Sequence, residues 1–292
     1  EKKTPVEGFY DAPIYKRVLI VLAGPLFNII SAVFVLIIVI GAFGLLVNPY
    51  LNIDVEPGSA ADRSGLMRGD SITSAAGKKI SDWDELAEVL AGKDGQEAVI
   101  GFIRNGEYIE KTMPISIDSL GIMPLVPPIL GSLKIDGPAD KAGMKTGSRV
   151  LSIGGAEIQT WDQMVSTVRQ SANIPLRFVW QDNGVLREAL ITPAPFFDPV
   201  SLDTIGQIGA IMPLERTYLP LSDVLSLSIT RSGEIIWLTL KTLYQLVVGR
   251  ISRRAIGGPI AIARLSGESA RWGFENLLGL LAVISVNLGL VN

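Results

Sequence analysis

Three side-chain amides stand in apolar surroundings along this chain: Asn28 inside an uncharged run at residues 18–47, and Asn287 and Asn292, five residues apart, in a second apolar segment that begins at Leu277. An amide carried into hydrocarbon must find a hydrogen-bond partner, so each is either a helix-packing device or part of a polar site within a membrane. Asn28 is preceded by Gly24-Pro25, where proline frees a backbone carbonyl and kinks a helix while glycine permits a neighbour to approach closely. Gly258-Pro259 lies shortly upstream of the second segment.

What is missing narrows the chemistry as much. The 292 residues contain no histidine and no cysteine. Thiolate nucleophiles, Ser-His triads, disulfides and ordinary His/Cys zinc sites are thereby excluded within this stretch. With 26 basic and 29 acidic residues, nothing pulls the chain toward nucleic acid. A chain of this length that is 48% hydrophobic accommodates about two domains plus membrane segments.

The elements that must position the amides come next. The run at residues 18–47 would make roughly 45 Å of helix, enough to cross a hydrocarbon core of about 30 Å. It is too long, and lacks the small-residue cleavage pattern, for a signal peptide. Lys2, Lys3, Lys16 and Arg17 precede it and Asp54 and Glu56 follow, so the positive-inside bias puts the N-terminal end in the cytoplasm. Residues 1–15 read as a cytoplasmic lead-in and residues 16–48 as a transmembrane helix. Residues 221–248 have helical periodicity broken by Asp223, Arg231, Glu234 and Lys241, which predicts an amphipathic helix lying on the membrane. Arg250, Arg253 and Arg254 after it would instead suit a helix crossing inward. Residues 214–272 are thus read as membrane-associated amphipathic helices, and residues 273–292 as the start of a further transmembrane helix. The chain begins without methionine and stops within an apolar run, which reads as an internal piece of a longer protein.

Between these segments lies an internal repeat. Gly65, Gly69, Trp83, Asn105 and Gly106 recur as Gly143, Gly147, Trp161, Asn183 and Gly184, each 78 residues on (143 − 65). Each copy predicts a short helix closed by glycine and a glycine turn into a strand. A second helix follows, begun at capping-box spacing by Asp82 with Glu85 or Thr160 with Gln163. An Asn-Gly hairpin of the type I′ kind completes the unit. Prolines at 124, 127 and 128, and at 193, 195 and 199, mark the exits, giving domains at 49–125 and 126–213. Ser148 stands where the first copy has Asp70, which argues against a repeated carboxylate chemistry.

The repeat, carried by Ala61, Gly65, Leu66, Gly69, Asp70, Ile72, Gly77, Ile80 and Trp83 and by Ala139, Gly143, Met144, Gly147, Val150, Gly155, Ile158 and Trp161, resembles the PDZ domain of bacterial proteases. The fold class implied is a multi-domain membrane protein: transmembrane α-helices flank two α+β PDZ-like domains, each a partly open β-barrel with two helices, and amphipathic helices follow. PDZ domains add an extended peptide as an extra strand and take its C-terminal carboxylate on loop N–H groups. Leu120-Gly121-Ile122 and Ile208-Gly209-Ala210 have the form of such a loop, and equally of an ordinary strand glycine.

Placed around this tandem, Gly24-Pro25-x-x-Asn28, Gly258-Pro259 and the Asn287/Asn292 pair resemble the site-2 protease family, in its bacterial regulator of sigma-E branch, over essentially the whole chain. The resemblance implies an intramembrane zinc metalloprotease, multi-pass in the bacterial inner membrane, with its PDZ-like domains on the periplasmic or extracytoplasmic side. Its substrates would be single-pass membrane proteins after a first cleavage, such as a trimmed anti-sigma factor, or signal-peptide remnants, with the PDZ-like domains gating access. The partners implied are that substrate and the lipid bilayer. The Zn2+ of the family is held by His-Glu-x-x-His and a later aspartate motif. Neither occurs here, so all metal ligands and catalytic groups are expected outside this stretch. Asn287 and Asn292 then match substrate-binding amides, and Gly24, Pro25, Asn28, Gly258 and Pro259 the surround of the active site; helix packing explains the same residues. The rival function is a non-catalytic, membrane-anchored PDZ adaptor or secretion component. It accounts for the repeat and the first span but gives no reason for Gly258-Pro259 or the asparagine pair.

Overall fold

The computed structural model describes residues 13–116, 120–198, 203–249 and 258–291. The lead-in at residues 1–12, Ser119, the arginines at 250, 253 and 254, and Asn292 lie outside the described residues. The chain divides into two compact units, residues 1–45 with 217–292, and residues 46–216.

The first unit is helical. Helix α1 (Ile14–Ile38) continues as a π-helical turn (Val39–Phe43) that stops at Gly44, with φ +74°. A Cβ at Gly44 would sit 2.9 Å from the Thr217 carbonyl oxygen, so the stop requires glycine in both conformation and space. The uncharged run therefore does not stay helical to residue 47: strand β1 (Leu45–Val47) leaves the helix two residues after its last turn. Helices α6 (Leu221–Val247), α7 (Pro259–Arg271) and α8 (Phe274–Val291) complete the unit. Residues Ile14–Phe43 and α8 are long and apolar enough to cross a membrane.

Helices α1, α6 and α8 pack on one another, with Ala32, Leu36, Ala282 and Val286 at the core. Helix α6, about 40 Å long at 1.5 Å per residue, exposes both charged side chains and apolar ones such as Ile229, Trp237 and Leu238. Asp223, Arg231, Glu234 and Lys241 are exposed, while Val224, Ser228 and Ser232, at one-turn spacing, are buried. The Ser228 and Ser232 hydroxyls donate to the carbonyls of Val224 (2.7 Å) and Ser228 (2.8 Å), which satisfies them without a partner from another helix.

The second unit holds the two copies. The first contains β2 (Ile53–Val55), α2 (Ala60–Arg63), β3 (Ser71–Ala75), β4 (Lys78–Lys79), α3 (Trp83–Ala91), β5 (Glu97–Arg104), β6 (Glu107–Pro114) and β7 (Ile122–Pro124). Its sheet runs β4-β3-β5-β6, and β2 pairs with β7. The second contains α4 (Pro138–Lys141), β8 (Arg149–Ile153), β9 (Ala156–Glu157), α5 (Trp161–Arg169), β10 (Leu176–Asp182) and β11 (Val185–Ile191), with the matching sheet β9-β8-β10-β11. It adds a hairpin, β12 (Ala194–Asp198) with β13 (Asp203–Gln207), where proline had marked only an exit. Strand β14 (Glu215–Thr217) ends the unit and pairs with β1.

Local rules explain these elements. Asn105 and Gly106 (φ 53° and 87°) and Asn183 and Gly184 (48° and 84°) make the type I′ turns that match strand twist. Thr160 and Gln163 close a complete capping box on α5. Asp82 accepts the Glu85 N–H at 2.8 Å, but Glu85 reaches the N–H of Ser81 instead of its own cap residue. Each helix also ties back to the strand entering its copy: the N–H of Trp83 donates to Asn48 and that of Trp161 to Val126, both at 2.8 Å. The copies have separate cores, around Phe102 and Leu86 in the first and Trp180 and Met164 in the second.

Candidate functional site

In each copy the φ-Gly-φ segment pairs along one edge and leaves its other donors unused. The N–H groups of Glu56 and Ala61 donate to the carbonyls of Gly121 (2.9 Å) and Leu120 (3.0 Å). Leu125 donates to Asn52 at 2.7 Å, so in the antiparallel register the Ile122–Val55 pair is the wide, unbonded kind, and the Ile122 N–H and C=O face away from β2. The second copy repeats this parity. Lys134 donates to Gly209, Ala139 to Ile208, and Ile211 to Ser132, which turns the Ala210 N–H outward. The N–H groups of Leu120, Gly121 and Ile122, and of Ile208, Gly209 and Ala210, have no partner among the described residues. Gly121 and Gly209 take φ of +68° and +74°. Consecutive donors around a left-handed glycine form a concavity suited to an anion.

The titratable groups belong to scaffolding. Asp70 is buried and receives both arms of Arg104 at 2.7 Å, Nε on Oδ1 and Nη2 on Oδ2; Arg104 also donates to Gly65 O. Burial pushes the Asp70 carboxyl up, but the hydrogen bonds from Arg104 and Met67 and the guanidinium charge outweigh it and hold the pKa below its ordinary value. In the second copy Ser148 and Asp182 occupy these positions, 3.2 Å apart, with Arg187 Nε 3.6 Å from Asp182. Sequence reading noticed Asp70 but missed Arg104. The available signal was that positions 70/148 and 104/182 differ together between the copies. Glu85 is held at about 2 by hydrogen bonds from Lys78 and from the Ser81 hydroxyl and N–H. A cavity of about 200 Å³ beside residues 129–132 and 211–214 is lined by no titratable side chain.

In the helical unit the motifs converge in part. The close contact expected of Gly24 is found elsewhere: Gly24 is exposed, and a Cβ there would meet nothing within 4 Å, whereas a Cβ at Gly289 of α8 would lie 2.9 Å from Pro25 O and 3.4 Å from Asn28 Cβ. Helices α1 and α8 thus touch through backbone at Pro25 and Gly289. Asn287 has a partner that the sequence did not reveal: the Thr239 hydroxyl of α6 lies 2.8 Å from its Oδ1 and 2.8 Å from Ile235 O, sharing its one proton between the two acceptors. Gly258 caps α7 and Pro259 fills its first position, where a missing N–H costs nothing.

A model of the peptidase family M50 matches residues 1–292. The chain belongs to peptidase family M50. The site-2 protease resemblance read from the motifs is borne out. This M50 chain is 28% identical over 314 residues to a Vibrio cholerae protein named as a zinc metalloprotease, covering 98% of this chain and 68% of that protein. It is 29% identical over 315 residues, with the same coverage, to the regulator of sigma-E protease RseP of Salmonella typhimurium. A PDZ domain of an SdrC-like protein from Listeria monocytogenes is 16% identical, with a TM-score of 0.25, over 29% of this chain and 84% of that one. The M50 chain has no histidine or cysteine, and the described residues bring together no group of three or more Asp and Glu side chains that would fit a zinc ion.

Proposed function

We propose that residues 1–292 are the gating and substrate-positioning part of an intramembrane zinc metalloprotease whose metal ligands lie in sequence outside them. The observation that carries the reading is the M50 match over all 292 residues. The close packing of α8 on α1 at Gly289 and Pro25 supports it. In this reading α1 and α8 cross the bacterial inner membrane, and exposed apolar side chains of α1, such as Leu19, Leu22 and Phe27, meet lipid or neighbouring helices. The charged side of α6 is unsuited to lipid and borders water. The Thr239 hydroxyl, shared between Ile235 O and the Asn287 carbonyl oxygen, positions the Asn287 amide, whose N–H groups are left to bond the backbone of an unwound substrate. The PDZ-like copies stand on the extracytoplasmic side and admit single-pass substrates after a first cleavage, such as the anti-sigma factor that the family resemblance implies. The peptidase match favours this over the adaptor reading.

The test is cleavage of a trimmed single-pass substrate by the complete gene product in proteoliposomes. Cleavage should stop with 1,10-phenanthroline, and Asn287→Leu should lower it about tenfold, the worth of one lost hydrogen bond. Removing residues 50–212 should let untrimmed substrate be cut. Cleavage insensitive to the chelator would refute the protease reading, and zinc-dependent proteolysis by purified residues 1–292 would refute the placement of the ligands.

A further inference from the structure

We infer that two molecules of this chain associate edge to edge through strand β11, so that the sheets of their second copies run together as one. The partner is another molecule of the same chain, and the inference stands independently of the protease reading above.

Strand β11 ends its sheet, with β10 on one side and no strand on the other among the described residues. The two-residue turn at Asn183-Gly184 makes Asp182 and Val185 a bonded pair, and bonded and unbonded pairs alternate along an antiparallel ladder. In the register Gln181–Leu186, Val179–Glu188 and Arg177–Leu190, the unbonded pairs therefore put the N–H and C=O of Leu186, Glu188 and Leu190 on the open edge. The Arg177 carbonyl agrees with that parity, since it accepts from the Gly154 N–H on the far side of β10. The side chains of the same three residues stand on the outer face of the sheet, away from the buried Phe178 and Trp180. Leu186 and Leu190 are 65% and 74% exposed.

A two-fold axis perpendicular to a sheet pairs an antiparallel edge with itself and keeps side chains on their own face. Centred on Glu188, it sets Leu186 against Leu190 of the second molecule, Glu188 against Glu188, and Leu190 against Leu186. All three residues have their backbone groups free, so each pair exchanges two hydrogen bonds, and both leucine pairs are apolar. Moving the axis by one residue either way sets a leucine against Glu188 instead. The adverse contact is between the two glutamates, and each is ion-paired to Arg177 of its own molecule.

The edge of the first copy lacks this complementarity. Strand β6 brings Tyr108, Glu110 and Thr112 to the same positions, and Val99 stands where the second copy has Arg177 (177 − 78 = 99). Glu110 accepts from the Tyr108 hydroxyl at 2.7 Å and has no ion pair among the described residues. Opposed glutamates without a cation keep such an edge apart.

The test uses the full chain in detergent micelles, its mass measured by light scattering corrected for bound detergent. A dimer is expected. Glu188→Pro deletes only the outward N–H and spares the bonds to β10; it should weaken the dimer by at least about tenfold, because two hydrogen bonds are lost, one from each molecule. Glu110→Pro, the same change on the edge of the first copy, should leave the mass unaltered. The chain has no cysteine, so the register can be read directly. A mixture of Leu186→Cys and Leu190→Cys molecules should form a disulfide-linked dimer on mild oxidation. Neither variant should do so alone, since its two cysteines would lie about 14 Å apart. If hydrogen exchange in β10 shows that proline has unfolded the copy, the cysteine pairs, which need no proline, decide. A monomeric chain, a dimer unaffected by Glu188→Pro in a folded copy, or a crosslink in Leu186→Cys alone would overturn the inference. So would monomers in which Leu186 and Leu190 become protected only on adding phospholipid vesicles, which would assign the strand to a lipid surface.

Discussion

The two repeat copies meet one structural demand with different chemistry. In each, a tight turn presents a backbone N–H that needs an acceptor three residues on: Met67 donates to Asp70 Oδ2 at 2.8 Å, and Lys145 donates to Ser148 Oγ at 3.0 Å. A carboxylate in the first copy brings a buried charge, and Arg104 must neutralise it. A hydroxyl in the second brings none, and the partner position carries Asp182 with Arg187 nearby. The turn therefore specifies an acceptor, while charge is optional. Choosing charge puts the first copy's ion pair at the turn itself, whereas the second keeps its buried carboxylate, Asp182, at the partner position.

The largest test of that contrast is Arg104→Ala. It strands the Asp70 carboxylate, whose side chain is 1% exposed, and should destabilise the first copy by about 3–5 kcal/mol. Asp182→Ala, removing one partner of a hydroxyl, should cost the second about 1 kcal/mol. Hydrogen exchange in β3 and β5 against β8 and β10 reads the two losses separately, and equal losses would erase the contrast. Acid comes next. The folded-state pKa values of Asp70 and Glu85 are both depressed, so each contributes stability that is complete above the unfolded value of about 4 and is lost as pH falls through its folded value, about 2 for Glu85. Their counterparts are Ser148 and Gln163, so exchange on lowering the pH from 5 to 2 should rise in β3 and β5 before β8 and β10; simultaneous opening would contradict this. The smallest effect concerns Trp180, whose buried indole N–H has no partner among the described residues and whose counterpart is Phe102. Trp180→Phe should change stability by less than about 1 kcal/mol, because losing an unsatisfied donor offsets lost packing. The reverse, Phe102→Trp, should cost about 1–3 kcal/mol by overpacking. Urea unfolding of both variants measures the asymmetry.

Features set by neighbours in sequence were legible before the structure: the hairpins from Asn-Gly, the helix starts from Asp82 and Thr160, and the repeat from its glycines. Features set by neighbours in space were not. Thr239 lies 48 residues from Asn287, and Arg104 lies 34 from Asp70. The charges of α6 drew attention away from Ser228 and Ser232, which form its buried side because their hydroxyls bond within the helix. The β12–β13 hairpin was hidden behind Pro193 and Pro195, since proline at a strand start or edge is compatible with a ladder that leaves its N–H side unpaired. The φ-Gly-φ segments could be located from sequence, but which of their backbone groups stay free depends on pairing parity.

The bonds from Trp83 to Asn48 and from Trp161 to Val126 have a consequence for where each copy begins. Asn48 and Val126 are themselves one repeat length apart (126 − 48 = 78), although neither resembles the other in chemistry. What is duplicated there is a carbonyl, which any residue supplies and no comparison of side chains would find. A gene segment cut at Pro128 would carry nearly every recognisable residue of the second copy and still omit the anchor of its main helix. The transferable cassette starts at Val126, and its mate at Asn48, only four residues beyond the glycine that ends the first helix.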